Sequence, residues 1–172
     1  MRFCASSGAT VGRAIGQRLT QSRRALCDAM APELRHFGIT LFERWTALWN
    51  GDVAIASEIM AETFVLHYAQ ANTERVDSVR TPAALAALVQ FWHGYRPGIR
   101  FSAEGQAAVD LVLEDGQPCG RVARPYLAVF RDASGSVVAR SGIDLLSLRA
   151  GRIVEVWSVS SGAQGRTFYP QG

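Results

Sequence analysis

Residues 136–161, SVVARSGIDLLSLRAGRIVEVWSVSS, constrain this chain more than any other stretch. They read as two long strands joined at Arg149-Ala150-Gly151, a three-residue loop ending in a glycine suited to the left-handed conformation. With Leu148 opposite Arg152, Asp144 falls beside Val156 and Gly142 beside Ser158. Strand side chains alternate faces, so Asp144, Leu146, Val154, Val156, Ser158 and Ser160 share one face. Ile143, Leu145, Ile153, Glu155 and Trp157 share the other. A carboxylate among aliphatic neighbours needs a reason, because an ionised aspartate is rarely buried without a partner. A ligand pocket on the Asp144 face supplies one.

The preceding segments provide helices and further strands. Pro32 suits a first helical position, and Leu34, Phe37 or Gly38, Leu41, Trp45 and Leu48 follow at helical spacing up to a stop at Asn50-Gly51. Asp52 is placed to cap a second helix from Val53 to about Glu62, with Ile55, Ile59 and Met60 turned inward. Phe64 to Tyr68 is a short strand and residues 69–80 a polar loop. Thr81-Pro82 starts a third helix reaching about Tyr95, with Leu85, Leu88, Val89 and Trp92 on its apolar face. After the break at Pro97-Gly98, residues 99–113 read as one strand bent at Gly105, and Gly120 to Arg131 as its return. Pro125 marks an edge or bulge in that return strand. Helices followed by antiparallel hairpins define an α+β class, with three helices packed on a curved, mainly antiparallel sheet.

Charge narrows the partners. All 18 basic residues are arginine, and the net charge of +3 is uneven. Residues 1–32 hold five arginines against one acid, leaving 13 arginines against 14 acids in the rest. The body of the chain is therefore nearly neutral, and no nucleic-acid surface is expected. Residues 1–32 read as a basic, disordered extension, residues 33–162 as the domain and 163–172 as a tail; Met30 is an alternative start. Ser22-Arg23-Arg24 superficially suggests an export signal, but no apolar segment follows it. No stretch is long and apolar enough to span a membrane. Cys4, Cys27 and Cys119 are odd in number and lack metal spacing, which suits free thiols in the cytoplasm. His36, His67 and His93 lie on separate elements, so no metal site is expected, and no glycine-rich phosphate loop or nucleophile elbow is present.

Two segments carry a family resemblance. LFERWTALWNGDVAIASEIMAETFVLHY, residues 41–68, resembles the opening of SnoaL-like and ketosteroid-isomerase-like proteins of the nuclear transport factor 2-like superfamily. GIDLLSLRAGRIVEVWSV, residues 142–159, resembles their last two strands. The resemblance spans about residues 34–161 and implies a cone-shaped half-barrel. It places His67 where ketosteroid isomerases carry a general-base aspartate. It places Asp144 where they carry a protonated aspartate that donates to an oxyanion, an arrangement that is a known reference case for pKa tuning. The helical tyrosine of those enzymes is replaced by Arg44 or Trp45. Ser158 stands where limonene-epoxide-hydrolase-like and many SnoaL-like proteins carry a catalytic aspartate.

From these residues the expected site comprises His67 as base, Asp144 as its partner or as oxyanion donor, and Ser158 as a positioning hydroxyl. An imidazole titrates near neutral pH, and a nearby carboxylate would orient it; a desolvated carboxyl would instead stay protonated and donate. The other reading is a histidine satisfied at a rim and an aspartate bonded to backbone. Trp45, Trp49, Trp92, Tyr95, Tyr126 and Val156 are expected to line an apolar cavity or to serve simply as core. Arg140 shares Asp144's face and is placed either to clamp a carboxylate or phosphate or to pair with an acid of the protein. Glu155 and Trp157 belong to an outer face expected to form a homodimer. The resemblance implies cofactor-independent proton-transfer chemistry (isomerisation, cyclisation or dehydration) on a small apolar carbonyl compound. The alternative is a non-catalytic ligand-binding or assembly domain.

Overall fold

The expected hairpin forms, but its turn is shorter and its register different. In the computed structural model, which describes residues 31–70, 73–162 and 165–169, β5 runs Val137–Arg149 and β6 runs Arg152–Ser160. The chain divides into units Met1–Glu33 and Leu34–Gly172, and nearly all described residues belong to the second. Cys4, Cys27 and the arginine-rich extension to residue 30 lie outside the described residues.

Arg149 pairs directly with Arg152, so the turn is the two residues Ala150 and Gly151, with φ of 50° and 72°. Two successive left-handed residues match the twist of the flanking strands, whereas the expected three-residue loop would not close this pair. A bulge follows. Ser147 faces Glu155 while Leu148 faces Ile153, leaving Val154 as the extra residue. Together the turn and bulge set Asp144 opposite Ser158 and Gly142 opposite Ser160, in place of the expected Val156 and Ser158 partners. They also turn Ile153 into the core at 0% exposure, although it was expected on the outer face, and leave Val154 half-buried.

The remaining strands are β1 (Met60–Tyr68), β2 (Arg100–Ala103), β3 (Ala108–Glu114) and β4 (Gln117–Arg131). They form an open, mixed sheet in the order β1-β6-β5-β4-β2, with β3 also paired to β4. Only β1 and β6 are parallel among the described pairs. The single strand expected over 99–113 is therefore two strands that share one edge of β4. Pro125 sits opposite the interruption between them. Its carbonyl accepts from Glu104 N at 2.8 Å, and its missing N–H faces the gap rather than β5.

Helix α1 occupies residues 31–49 and stops at Gly51, whose φ is +104°. Asn50 does more than end it: its side-chain amide donates to Phe101 O and accepts from Phe101 N, both at 2.8 Å. An edge strand leaves peptide groups unpaired, and here an amide side chain supplies the missing partner for β2. The second helix is much shorter than expected. A 3-10 turn at Val53–Ile55 leads into α2, Ala56–Ile59, and Met60 already adopts an extended conformation. Pairing of β1 with β6 overrides the helical pattern of residues 60–62. Asp52 makes no capping bond through its side chain; Arg152 instead donates to the carbonyls of Ser57, Glu58 and Met60. Helix α3, Pro82–Tyr95, begins as expected, with the Thr81 hydroxyl accepting from Ala84 N. The polar loop carries a further 3-10 turn, Glu74–Ser78.

One core joins these elements: Phe42, Trp45 and Leu48 of α1, Leu85 and Val89 of α3, and Val122, Leu146, Ile153 and Val156 of the sheet. Among the described residues no helix is long and apolar enough to cross a membrane.

Candidate functional site

The inner face of the sheet carries a polar cluster inside this apolar core. Asp144 on β5 and Ser158 on β6 are directly paired and are 6% and 5% exposed. Tyr68 faces Ser158 across the parallel β1–β6 pair, and Tyr126 of β4 faces Gly142. The Tyr126 phenol crowds against that glycine: a Cβ at Gly142 would stand 2.4 Å from its Cζ and hydroxyl oxygen. Only a residue without a side chain admits the phenol to this place. From α1, Trp45 Nε1 donates to Asp144 Oδ2 at 2.7 Å, and from the loop after β1, Gln70 Nε2 reaches Ser158 Oγ at 3.5 Å.

These groups form one end of a cavity of about 920 Å³. Its walls are largely aromatic, with Trp49, Trp92, Tyr95, Phe101 and Phe130, and its mouth carries Arg96, Arg131 and Arg140. Three buried polar atoms along it have no partner among the described residues: the Trp49 indole N–H, Gln70 Oε1 and Asp144 Oδ1. Buried polar groups are almost always hydrogen-bonded, and an unmet one costs about 1–3 kcal/mol. A donor, an acceptor and a protonatable oxygen left open along one cavity are what a polar end of a ligand would satisfy.

Burial dominates the electrostatics. Desolvation pushes the Asp144 carboxyl from its ordinary 3.8 up to about 6, with Ser158 and the Trp45 indole opposing the shift. Ser158 stands close enough to oppose it, while Oδ1 has no hydrogen-bond partner among the described residues. The Tyr68 and Tyr126 phenols are pushed well up from their usual value by burial and then by the Asp144 charge. Both therefore remain protonated donors at neutral pH, beside a carboxyl that changes charge close to it.

Eight of the ten expected site residues line this cavity: Trp45, Trp49, Trp92, Tyr95, Tyr126, Arg140, Asp144 and Ser158. Two do not. Val156 is wholly buried opposite Leu146, within the core rather than at the cavity wall. His67 is on the other side of the sheet, exposed, with Nε2 2.7 Å from Glu155 Oε1 and its ring stacked on Trp157 at 5.3 Å. The expected His67–Asp144 pair is therefore not formed, because the inward residues of β1 are Phe64, Leu66 and Tyr68. Tyr68 takes the inner place expected of its neighbour. The signal was present: Phe64 and Leu66 are apolar at a spacing of two, and continuing the alternation reaches Tyr68. Gln70, just past the strand, carries no such signal. Among the described residues, no three His, Cys, Asp or Glu side chains are grouped to hold a metal ion.

No protein-family model and no curated protein matches the chain. Solved structures do. Wild-type IdmH from Streptomyces antibioticus, a candidate polyketide cyclase, is 18% identical with a TM-score of 0.54, covering 72% of this chain and 91% of its own. A candidate SnoaL-like polyketide cyclase from Jannaschia sp. is 14% identical with a TM-score of 0.54, covering 74% and 87%. A candidate isomerase of the SnoaL-like family from Agrobacterium tumefaciens is 17% identical with a TM-score of 0.53, covering 73% and 97%. The chain has the SnoaL-like fold. At these identities the likeness concerns architecture, and a SnoaL-like fold hosts unrelated chemistries, so function must be argued from the cavity.

Proposed function

We propose that this protein is a SnoaL-like enzyme that moves a proton, without a cofactor, on an apolar carbonyl-bearing small molecule, in an isomerase, cyclase or dehydratase reaction. The observation that carries the reading is Asp144: a buried carboxyl with one open oxygen, titrating near neutrality, beside two protonated phenols in an apolar cavity. An acid–base group works best when its pKa lies near the working pH. Ionised Asp144 removes a proton from the carbon next to a carbonyl, and the electron pair moves onto the carbonyl oxygen. Tyr126, Tyr68 or the open Trp49 N–H donates to that oxygen, and Ser158 holds the polar cluster in place. Protonated Asp144 then returns the proton to another carbon, or the enolate adds to a second carbonyl to close a ring and the proton on Asp144 passes to the new alkoxide oxygen. The similar solved structures described as cyclases and isomerases agree with this chemistry.

The test is exchange of the α-protons of β-tetralone in heavy water, followed by proton NMR. Wild-type protein is expected to accelerate exchange above buffer, with loss in Asp144→Asn. Absence of acceleration for β-tetralone and for a panel of cyclic ketones would overturn the catalytic reading. The separation of His67 from Asp144 favours a second reading, a ligand-binding domain with no chemistry. Binding of naphthol in the cavity without exchange would support it. On either reading we take the outer sheet face as the contact of a homodimer, since Ile143 and Val159 there are 39% and 50% exposed. Trp157→Arg is expected to give a monomer in sedimentation.

A further inference from the structure

We propose that Arg96 and Arg140 form a carboxylate-recognition point at the cavity mouth, so that the substrate is an apolar carbonyl compound carrying a carboxylate at its far end. The inference rests on the cavity being a small-molecule site, as argued above.

Both arginines line the cavity, and both hold their guanidinium carbons over one ring, Phe130, at 4.2 and 5.8 Å from its centre. Neither has an acidic partner among the described residues; the ion pairs there are Arg44–Glu58 and His67–Glu155. Arg140 spends one Nη1 donor on Gly162 O, and Arg96 adds only a second ring contact, with Tyr95 at 5.8 Å. The acid at the mouth, Asp132, does not neutralise them. Its Oδ1 accepts from Ser134 N, Ser134 Oγ and Ser136 N, and these bonds hold its carboxyl below the usual range. Arg131, also at the mouth, donates to Gly135 O. Two half-buried cations thus share one aromatic ring with no ion-pair partner among the described residues, each keeping unspent N–H donors.

The ring contacts offset part of this cost, but an anion satisfies the remaining donors and the charge together. A planar carboxylate matches the paired N–H groups that either guanidinium keeps free beside the Arg140–Gly162 bond. Spacing sets the length of the molecule. Arg140 precedes Asp144 by four residues on the same face of β5, so the two Cα atoms are about 13 Å apart along the strand. A body of two or three fused rings spans that interval, with its carbonyl at Asp144 and its carboxylate at the mouth. Above its pKa of about 6 the ionised Asp144 repels the carboxylate from the deep end, which enforces this orientation.

The experiment measures dissociation constants by calorimetry at low salt and near-neutral pH for naphthoate, its methyl ester and naphthyl phosphate, on full-length wild type, Arg96→Gln and Arg96→Lys. Naphthoate is expected to bind about tenfold more tightly than the ester in wild type. Arg96→Gln is expected to remove most of that preference while leaving ester affinity within about twofold, and Arg96→Lys to retain part of it. Equal affinity for acid and ester would overturn the inference while leaving the cavity reading intact. An equal loss for both ligands in Arg96→Gln would also overturn it. Naphthyl phosphate binding more tightly than naphthoate would replace the carboxylate by a phosphate. If none of the three binds, the cavity reading and this inference fall together.

Discussion

Two carboxylates on opposite faces of the same sheet each lie 2.7 Å from a ring nitrogen. Asp144 accepts from the Trp45 indole on the inner face, and Glu155 meets His67 on the outer face. By residue type the outer pair looks the more catalytic, since imidazole is the commoner proton carrier. Yet the side chains of His67 and Glu155 are 44% and 36% exposed, so water competes for both, and such pairs contribute about 0–1 kcal/mol. Asp144 is 6% exposed, and removal from water makes its charge state responsive to whatever enters the cavity. Burial, rather than the identity of the partner, separates a reactive carboxyl from a surface ion pair.

The sharpest way to break this contrast is to delete each acid–base group in turn. Asp144→Asn is expected to slow β-tetralone exchange by about 10²–10⁴-fold, the usual contribution of a positioned acid–base group. An Asn variant that exchanges as fast as wild type would leave the inner face without its chemistry.

Stability against pH sharpens the same point without a substrate. The folded pKa of Asp144 is raised, so the stability linked to its proton is fully present below the unfolded value near 3.8. It is lost as pH climbs through about 6. The loss amounts to about 3 kcal/mol, since a carboxyl that binds its proton more tightly when folded gives up about 1.4 kcal/mol per pH unit between those two values. Asp144→Asn is therefore expected to match wild type near pH 3.5 and to unfold at higher denaturant than wild type at neutral pH. Parallel pH profiles for the two proteins would show that Asp144 is not desolvated.

A smaller effect is expected at Gly142. In Gly142→Ala the new methyl displaces the Tyr126 ring from β5, costing about 1–3 kcal/mol as an overpacked core site. Naphthol affinity is expected to fall with it; unchanged affinity would remove Tyr126 from the ligand's surroundings. The smallest effect belongs to the outer face. His67→Gln is expected to change stability by less than about 1 kcal/mol and to leave β-tetralone exchange at the wild-type rate. A large loss of exchange would return His67 to the chemistry and collapse the distinction between the faces.

Much of the architecture could be read directly. Helical spacing located α1 and α3, Thr81-Pro82 marked the start of α3, and Pro125 marked the break in β4's outer edge. The aspartate placed among aliphatic residues in the sequence is buried in the fold. The α1–β2 clamp through Asn50 was not foreseeable from residues 51 positions apart with no pattern linking them.

What the sequence by itself determined is local: the helical stretches of α1 and α3, and that Asp144, Leu146 and Ser158 turn away from Ile143, Leu145 and Trp157. What only the tertiary structure decided is register. Both faces of the β5–β6 hairpin carry large apolar residues, so the side-chain pattern discriminates poorly between alignments one or two residues apart. The left-handed pair Ala150-Gly151 and the bulge at Val154 resolved that degeneracy, bringing Ser158 rather than Val156 beside Asp144. Parallel pairing with β6 carries on the alternation that Phe64 and Leu66 begin, with Tyr68 inside and His67 outside. In a strand with period two, a one-residue difference moves a side chain from water to the core.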